Sequence, residues 1–308
     1  MALSEKSGTN KKVVETMWLP LVVGVDGSAS SLRALDWAVD EAARLHLPLK
    51  IVHATMEDDW EPVCGPAAGA ANSCGQDIGP YVVDAAQERV RTHNPDLKVT
   101  TELVCGDAVT ALLNAGRNAS ALVTGARGRG ELQDLLLGSV SLVVAARAEC
   151  PVVVVRDGDE PPADRFEQVL LGVAAAESSS AAVRFAFEVA AARGCALDAL
   201  MAWQRPARTS ISRLLDLPRH EDQLGQRTRA LLDEALKQSA GEFPAVDVRR
   251  IVVEGPARDV LLTHSETTDL LVVGAHRRHN RGGLDLGRVN HALLHYAACP
   301  VALVPQWN

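Results

Sequence analysis

Short blocks of this chain return in the same order in its second half. Leu21-Val22-Val23-Gly24-Val25 recurs as Leu170-Leu171-Gly172-Val173, Gly106 recurs as Gly255, and Cys150-Pro151-Val152 recurs as Cys299-Pro300-Val301. The spacing between copies grows by one residue along the unit, as a single-residue insertion in a variable loop produces. A repeat of this length is a domain and not a solenoid module. The 308 residues therefore divide into two similar domains, at the usual size of about 150 residues each. The expected boundaries are a flexible tail over 1–18, a first domain over 19–156, a linker over 157–166 and a second domain over 167–308. Gly158, Pro161 and Pro162 among acidic residues mark the linker.

Each unit alternates short apolar runs with segments of helical spacing. In the first, 21–25 is too short and too β-branched for a helix. The stretch 28–45 places Leu32, Leu35, Trp37, Ala38 and Ala42 on one helical face, with Ser28 or Ser30 as its cap. Strands follow at 49–54, 99–104, 121–125 and 152–155, and helices at 81–93, 108–117 and 140–148. A Gly/Ala/Pro loop covers 56–79. Continuous apolar strands alternating with helices predict an α/β fold: two tandem, open, parallel, Rossmann-like sheets covered on both faces and packed as a pseudo-dimer.

Composition sets the limits of function. Aromatic residues are 4% of the chain against 47% hydrophobic, so the cores must be aliphatic. A net charge of −8 disfavours a broad polyanion-binding face, and nucleic acid is not an expected partner. Six cysteines in a chain this long do not form a disulfide scaffold. Cys150 and Cys299 precede Pro and a β-branched run and read as small buried residues. Cys64 and Cys74 flank a Gly/Ala loop, with no histidine or second cysteine pair to complete a metal site. No apolar run resembles a signal peptide or approaches the roughly 20 residues that cross a bilayer, so a cytoplasmic protein without membrane contact is expected.

In an open parallel sheet, ligands sit beyond the carboxyl ends of the strands, where strand order reverses. That brings Asp26-Gly27-Ser28, after the first strand, to the loop after the fourth. This loop begins Gly125-Ala126-Arg127-Gly128 and ends at Gly138-Ser139-Val140-Ser141. Gly125 and Gly128 allow close backbone approach and unusual φ values. The helix starting near Ser139 offers free N–H groups and a positive dipole end to an anion. The Ser139 and Ser141 hydroxyls add donors, and Arg127 and Arg129 add charge on the rim. Asp26 also reads as a helix cap, and His53 on its apolar strand reads as a packed residue. No nucleophile–base pair follows from spacing.

These motifs resemble the universal stress protein family in its ATP-binding branch, whose signature is Gly-x2-Gly-x9-Gly-Ser/Thr. Gly125, Gly128, Gly138 and Ser139 carry it here, with Gly24-Val25-Asp26-Gly27-Ser28 matching the start of the domain. The resemblance implies an adenine nucleotide α-hydrolase-like fold holding ATP with Mg²⁺. By it, Asp26 faces the nucleotide, Val52, His53 and Ala54 lie along adenine, and Gly125 meets the ribose. Gly128, Gly138, Ser139, Val140 and Ser141 hold the phosphates, with Ala126, Arg127, Arg129 and Gly130 completing the loop. It further implies a nucleotide-regulated stress-response or dormancy factor, at most slow ATP hydrolysis, and association into homodimers or higher oligomers through last strands. An unidentified protein partner fits the same role. Two alternatives stand beside it. An adenylating enzyme would use a Ser-Gly-Gly-x-Asp-Ser loop or a His-x-Gly-His motif; Asp26-Gly27-Ser28 approaches the first only superficially, and the second is absent. A nucleotide-independent interaction module would use the second half.

The second copy departs from the signature. It reads Gly274-Ala275-His276-Arg277, then Gly287-Arg288-Val289-Asn290. Arg277 stands at the second glycine and Arg288 at the phosphate-binding serine. Ala174 stands where Asp26 does beyond Gly172, followed by Ala175-Ala176. Three separate parts of the site have changed, so the second half is expected not to bind ATP in the family's manner. Arg277, Arg278, Arg281 and Arg288, with His276 and His279, form the one basic concentration in the sequence, suited to another anion or an acidic partner, or simply to solvent beside Asp285.

Overall fold

The short apolar runs of each half become parallel strands because both of their faces are covered. Along Leu21, Val22 and Val23, alternate side chains enter opposite helix layers, and all three are at most 1% exposed. The computed structural model describes residues 19–55, 78–128, 137–156, 167–174, 180–204, 221–277 and 286–307. The first half runs β1 (Leu21–Gly24), α1 (Ala29–Arg44), β2 (Leu49–Thr55), α2 (Ile78–His93), β3 (Val99–Cys105), α3 (Ala108–Gly116), β4 (Ala121–Gly125), α4 (Ser139–Arg147) and β5 (Val152–Val155). The second half repeats it as β6 (Gln168–Gly172), α5 (Ser180–Arg193), β7 (Ala196–Trp203), α6 (Glu221–Glu242), β8 (Val248–Glu254), α7 (Ala257–Ser265), β9 (Leu270–Arg277), α8 (Arg288–Tyr296) and β10 (Val301–Trp307). Helix α2 begins at Ile78, three residues before the apolar spacing announced it.

These strands form one sheet in the order β3-β2-β1-β4-β5-β10-β9-β6-β7-β8. Every neighbouring pair is parallel except β5 and β10, which are antiparallel. Strand order reverses between β1 and β4 in the first half and between β6 and β9 in the second. Helices α1, α2, α5 and α6 pack on one face, and α3, α4, α7 and α8 on the other. The cores are aliphatic as composition required; among the described residues, Phe187 is the one aromatic of the largest fully buried side chains.

The halves join at the antiparallel seam, where Val301, Ala302 and Leu303 face Val154, Val153 and Val152. Above it, Arg193 at the end of α5 reaches Glu41 of α1 at 2.9 Å, with only 10% and 3% of the two side chains exposed. The same guanidinium stands 5.8 Å from the centre of the Trp37 ring. On the other face, Arg156 donates to the Leu294 carbonyl at 2.8 Å. Cys150 and Cys299 are buried as expected, and burial pushes the Cys299 thiol up to about 12, which keeps it protonated and unreactive. Cys64 and Cys74 lie outside the described residues. Among the described residues, no helix is long and apolar enough to cross a membrane.

Removing one member of a buried ion pair strands the other charge, at a cost of about 3–5 kcal/mol. Glu41→Ala and Arg193→Ala should each lower the urea midpoint correspondingly, and Glu41→Leu combined with Arg193→Met should recover most of the loss. Single variants as stable as the wild type would remove the pair from the account of how the halves are held.

Candidate functional site

The connections after β1 and β4 leave toward opposite faces of the sheet, so a crevice opens between them. Its floor is braced before any ligand arrives. Gly27 takes φ +80°, and the turn it makes lets the Ser28 N–H donate to Asp26 Oδ1 at 2.9 Å. Ser28 then caps α1, its Oγ accepting from the Ser31 N–H at 3.2 Å. The Ser31 hydroxyl donates to the Ser28 carbonyl at 2.9 Å and accepts from the Asp26 N–H at 3.3 Å. The helix cap is therefore Ser28, and Asp26 shapes the turn ahead of it.

Beside this turn, the Val25 N–H donates to the Val52 carbonyl at 2.9 Å. His53 Nδ1 donates to the Val25 carbonyl at 2.7 Å, and the residue is 6% exposed. This is the packed histidine the apolar strand announced: it ties the exit of β1 to β2. Val52 is buried and Ala54 half-buried at the same strand end.

The described part of the glycine loop is braced against its neighbours. The Ala126 N–H donates to the Val155 carbonyl and the Gly138 N–H to the Ala126 carbonyl, both at 2.7 Å. The Arg127 N–H donates to Ser30 Oγ at 3.2 Å. A Cβ on Gly125 would stand 2.7 Å from the Ser30 backbone, and one on Gly128 would stand 2.8 Å from Asp26 Oδ2. Neither glycine has a positive φ, so close approach is what requires them, and the expected unusual backbone angles are not used. Gly138 enters α4 with extended angles open to any residue.

Of the two loop serines, only Ser139 is exposed; Ser141 is buried and its hydroxyl donates to the Gly125 carbonyl at 2.6 Å. That hydroxyl is committed to the fold, which corrects the expectation that it would donate to phosphate. Its backbone N–H, with those of Ser139 and Val140, lies in the first turn of α4, where no intrahelical acceptor exists. The crevice thus presents a helix N-terminus, one exposed hydroxyl and the Asp26 turn. Arg127 is half-buried, and Arg129 and Gly130 lie outside the described residues. Ser30 and Ser31 belong to this brace, which the sequence reading of the site did not include; a serine pair in the first turn of a helix that follows a glycine turn is the available signal. Among the described residues, no three or more His, Cys, Asp or Glu gather as a metal site.

The second half keeps the frame and changes the contents. Asn290, the counterpart of Ser141, donates its Nδ2 to the Gly274 carbonyl at 2.9 Å, repeating the Ser141–Gly125 tie with a different side chain. Strand β9 continues to Arg277, paired with Trp307, whereas β4 ends at Gly125. The segment that forms the start of the glycine loop in the first half is sheet in the second. A Cβ on Gly274 would collide with the Gln306 side-chain amide, so the glycine makes room for it. Gly287 enters α8 at φ +68°, unlike Gly138 at −71°. A cavity of about 590 Å³ nevertheless remains between β6 and β9, reaching Gly172, Ala174 and Arg288. Of the basic cluster, His276 and Arg288 are exposed; Arg278, His279 and Arg281 lie outside the described residues, as do Ala175 and Ala176.

The sequence profile of the universal stress protein family matches residues 17–156 and again 165–305. A universal stress protein of Mycobacterium tuberculosis is 35% identical over 293 residues, covering 93% of this chain and 97% of that protein. One from Mycolicibacterium smegmatis is 32% identical over 291 residues, covering 92% and 96%. Among solved structures, a universal stress protein from Archaeoglobus fulgidus aligns with a TM-score of 0.59 at 16% identity, over 93% of this chain and 98% of that one. One from Pseudomonas aeruginosa aligns with a TM-score of 0.61 at 15% identity, over 94% and 93%. At those identities the structural likeness concerns the fold.

The glycine contacts separate two kinds of loop position. Gly125→Ala should destabilise the chain by about 1–3 kcal/mol, because its Cβ meets backbone that cannot move aside. Gly138→Ala, whose nearest neighbour would be an ordinary contact at 3.4 Å, should stay within about 0.5 kcal/mol of the wild type. Chemical denaturation of both variants decides it; equal losses would contradict the assignment.

Proposed function

The chain belongs to the universal stress protein family, and we propose that its first half binds one adenine nucleotide, ATP with Mg²⁺, as the signal read by a stress-response factor. The observation that supports this reading most is the meeting of the α4 N-terminus, with its exposed Ser139, and the Asp26 turn at the point where strand order reverses. A phosphate chain there meets N–H donors that have no helical acceptor and the positive end of a helix dipole. In this reading Ser139, Val140 and Ser141 hold phosphate through their backbone, and Ser139 adds its hydroxyl. Gly125 and Gly128 keep the path open, Asp26 faces the sugar side, and the strand end at 52–54 lies along the base. Mg²⁺ arrives on the phosphates, which supply most of its oxygen ligands.

The role is that of a sensor. Three crevice side chains with the chemistry of a hydrolase are tied to the fold: Ser28 to Ser31, Ser141 to Gly125 and His53 to Val25. The last strands, through which the resemblance implied dimers, already pair within the chain. One chain therefore stands in for a dimer, and any association of whole chains uses other surfaces.

Ser139→Asp tests the phosphate placement with little risk to the fold, since an acidic residue in the first turn of a helix is favourable. Mg²⁺-ATP should raise the melting temperature of the wild type, and Ser139→Asp should weaken ATP binding at least tenfold. Arg288→Asp, its counterpart in the second half, should leave ATP binding unchanged. A Ser139→Asp protein that binds ATP as the wild type does would refute the placement.

A further inference from the structure

We propose that the crevice of the second half is a separate binding site for a small aromatic carboxylate, a ligand without nucleotide character. The proposal rests on the second half alone and stands whether or not the first half binds ATP. Its cavity of about 590 Å³ lies within the range of small-molecule sites, at the same place in the sheet order as the first-half crevice.

Strand register identifies what has changed inside it. Gly24 pairs with Val52, and its copy Gly172 pairs with Leu200. Met201 therefore replaces His53, and Trp203 replaces Thr55. Ala174 replaces Asp26 by its place after Gly172. All three replacements line the cavity, and each puts carbon or sulfur where the first half has a polar group. Trp203 offers a flat face, and Met201 a polarizable, adaptable one, both suited to an aromatic ring. Leu231 of α6 forms the outer lip and is 45% exposed, an apolar side chain left in water over an apolar cavity.

The mouth carries the opposite chemistry. Arg288 is the first residue of α8, exposed, and lines the cavity with His276. A cation at a helix N-terminus is unfavourable for the helix itself. An anionic group held there relieves that repulsion and gains a charge-assisted hydrogen bond. A polyphosphate has no equivalent path, because β9 runs on to Arg277 where the first half opens its glycine loop, and Gln306 covers Gly274. Among the described residues, an apolar floor beneath a cationic rim suits a ring bearing a carboxylate.

The full-length protein should be titrated with 2-naphthoate by calorimetry, beside the neutral analogue 2-naphthalenemethanol. One saturable naphthoate site per chain is expected, with the neutral analogue at least tenfold weaker. Saturating Mg²⁺-ATP should not displace naphthoate. Arg288→Gln should weaken naphthoate at least fivefold, and Leu231→Glu, a change at an exposed position, should weaken it further by placing a like charge at the lip. Absence of a saturable site, displacement by ATP, or affinity unchanged in both variants would overturn the proposal.

Discussion

The antiparallel pairing of β5 with β10 is the contact on which the rest of the molecule depends. Within each half every strand runs the same way, so this one reversal turns the two half-sheets against each other. It merges two five-stranded sheets into one of ten strands and makes both helix layers continuous across the seam. It also sends the carboxyl ends of the two sets of strands in opposite directions. The two crevices consequently open at opposite ends of the sheet, and no single ligand spans them. Each has its own chemistry on a shared frame.

A second constraint sets the shape of each crevice. The carbonyl of the first loop glycine accepts a side-chain hydrogen bond from the third residue of the helix that follows, Ser141 to Gly125 in one half and Asn290 to Gly274 in the other. The tie docks the helix N-terminus against the strand end, whichever donor supplies it. The crevice therefore survives in the second half after the acidic turn residue, the second glycine and the exposed serine have all been replaced. What differs is the lining: hydrogen-bonding groups and a glycine path in the first half, Met201, Trp203 and a cationic rim in the second.

Much of the fold was legible because it rests on patterns that sequence carries directly. The block Leu21–Val25 with its copy Leu170–Val173, and the repeated Cys-Pro-Val block, located β1, β6, β5 and β10. Apolar spacing located α1 to within a residue at each end, and of the two candidate caps, Ser28 and Ser30, the structure uses Ser28. The site was less legible where one residue type serves two ends. Ser141 has the composition of a phosphate donor, but its burial and its partner depend on how α4 docks against β4, which spacing does not encode. Gly125 and Gly128 read as places for close backbone approach and unusual angles; the structure uses the close approach alone, to Ser30 and Asp26 from the start of the half. The second-half cavity was missed because Met201 and Trp203 look like ordinary strand residues until register places them opposite the exit of β6.

The central claim is an asymmetry: one crevice suited to a nucleotide and one that is not, in a single chain. Native mass spectrometry of the full-length protein with excess Mg²⁺-ATP reads that asymmetry directly as added mass. The account predicts a single ATP per chain at saturation. Two nucleotides per chain, or none, would contradict it.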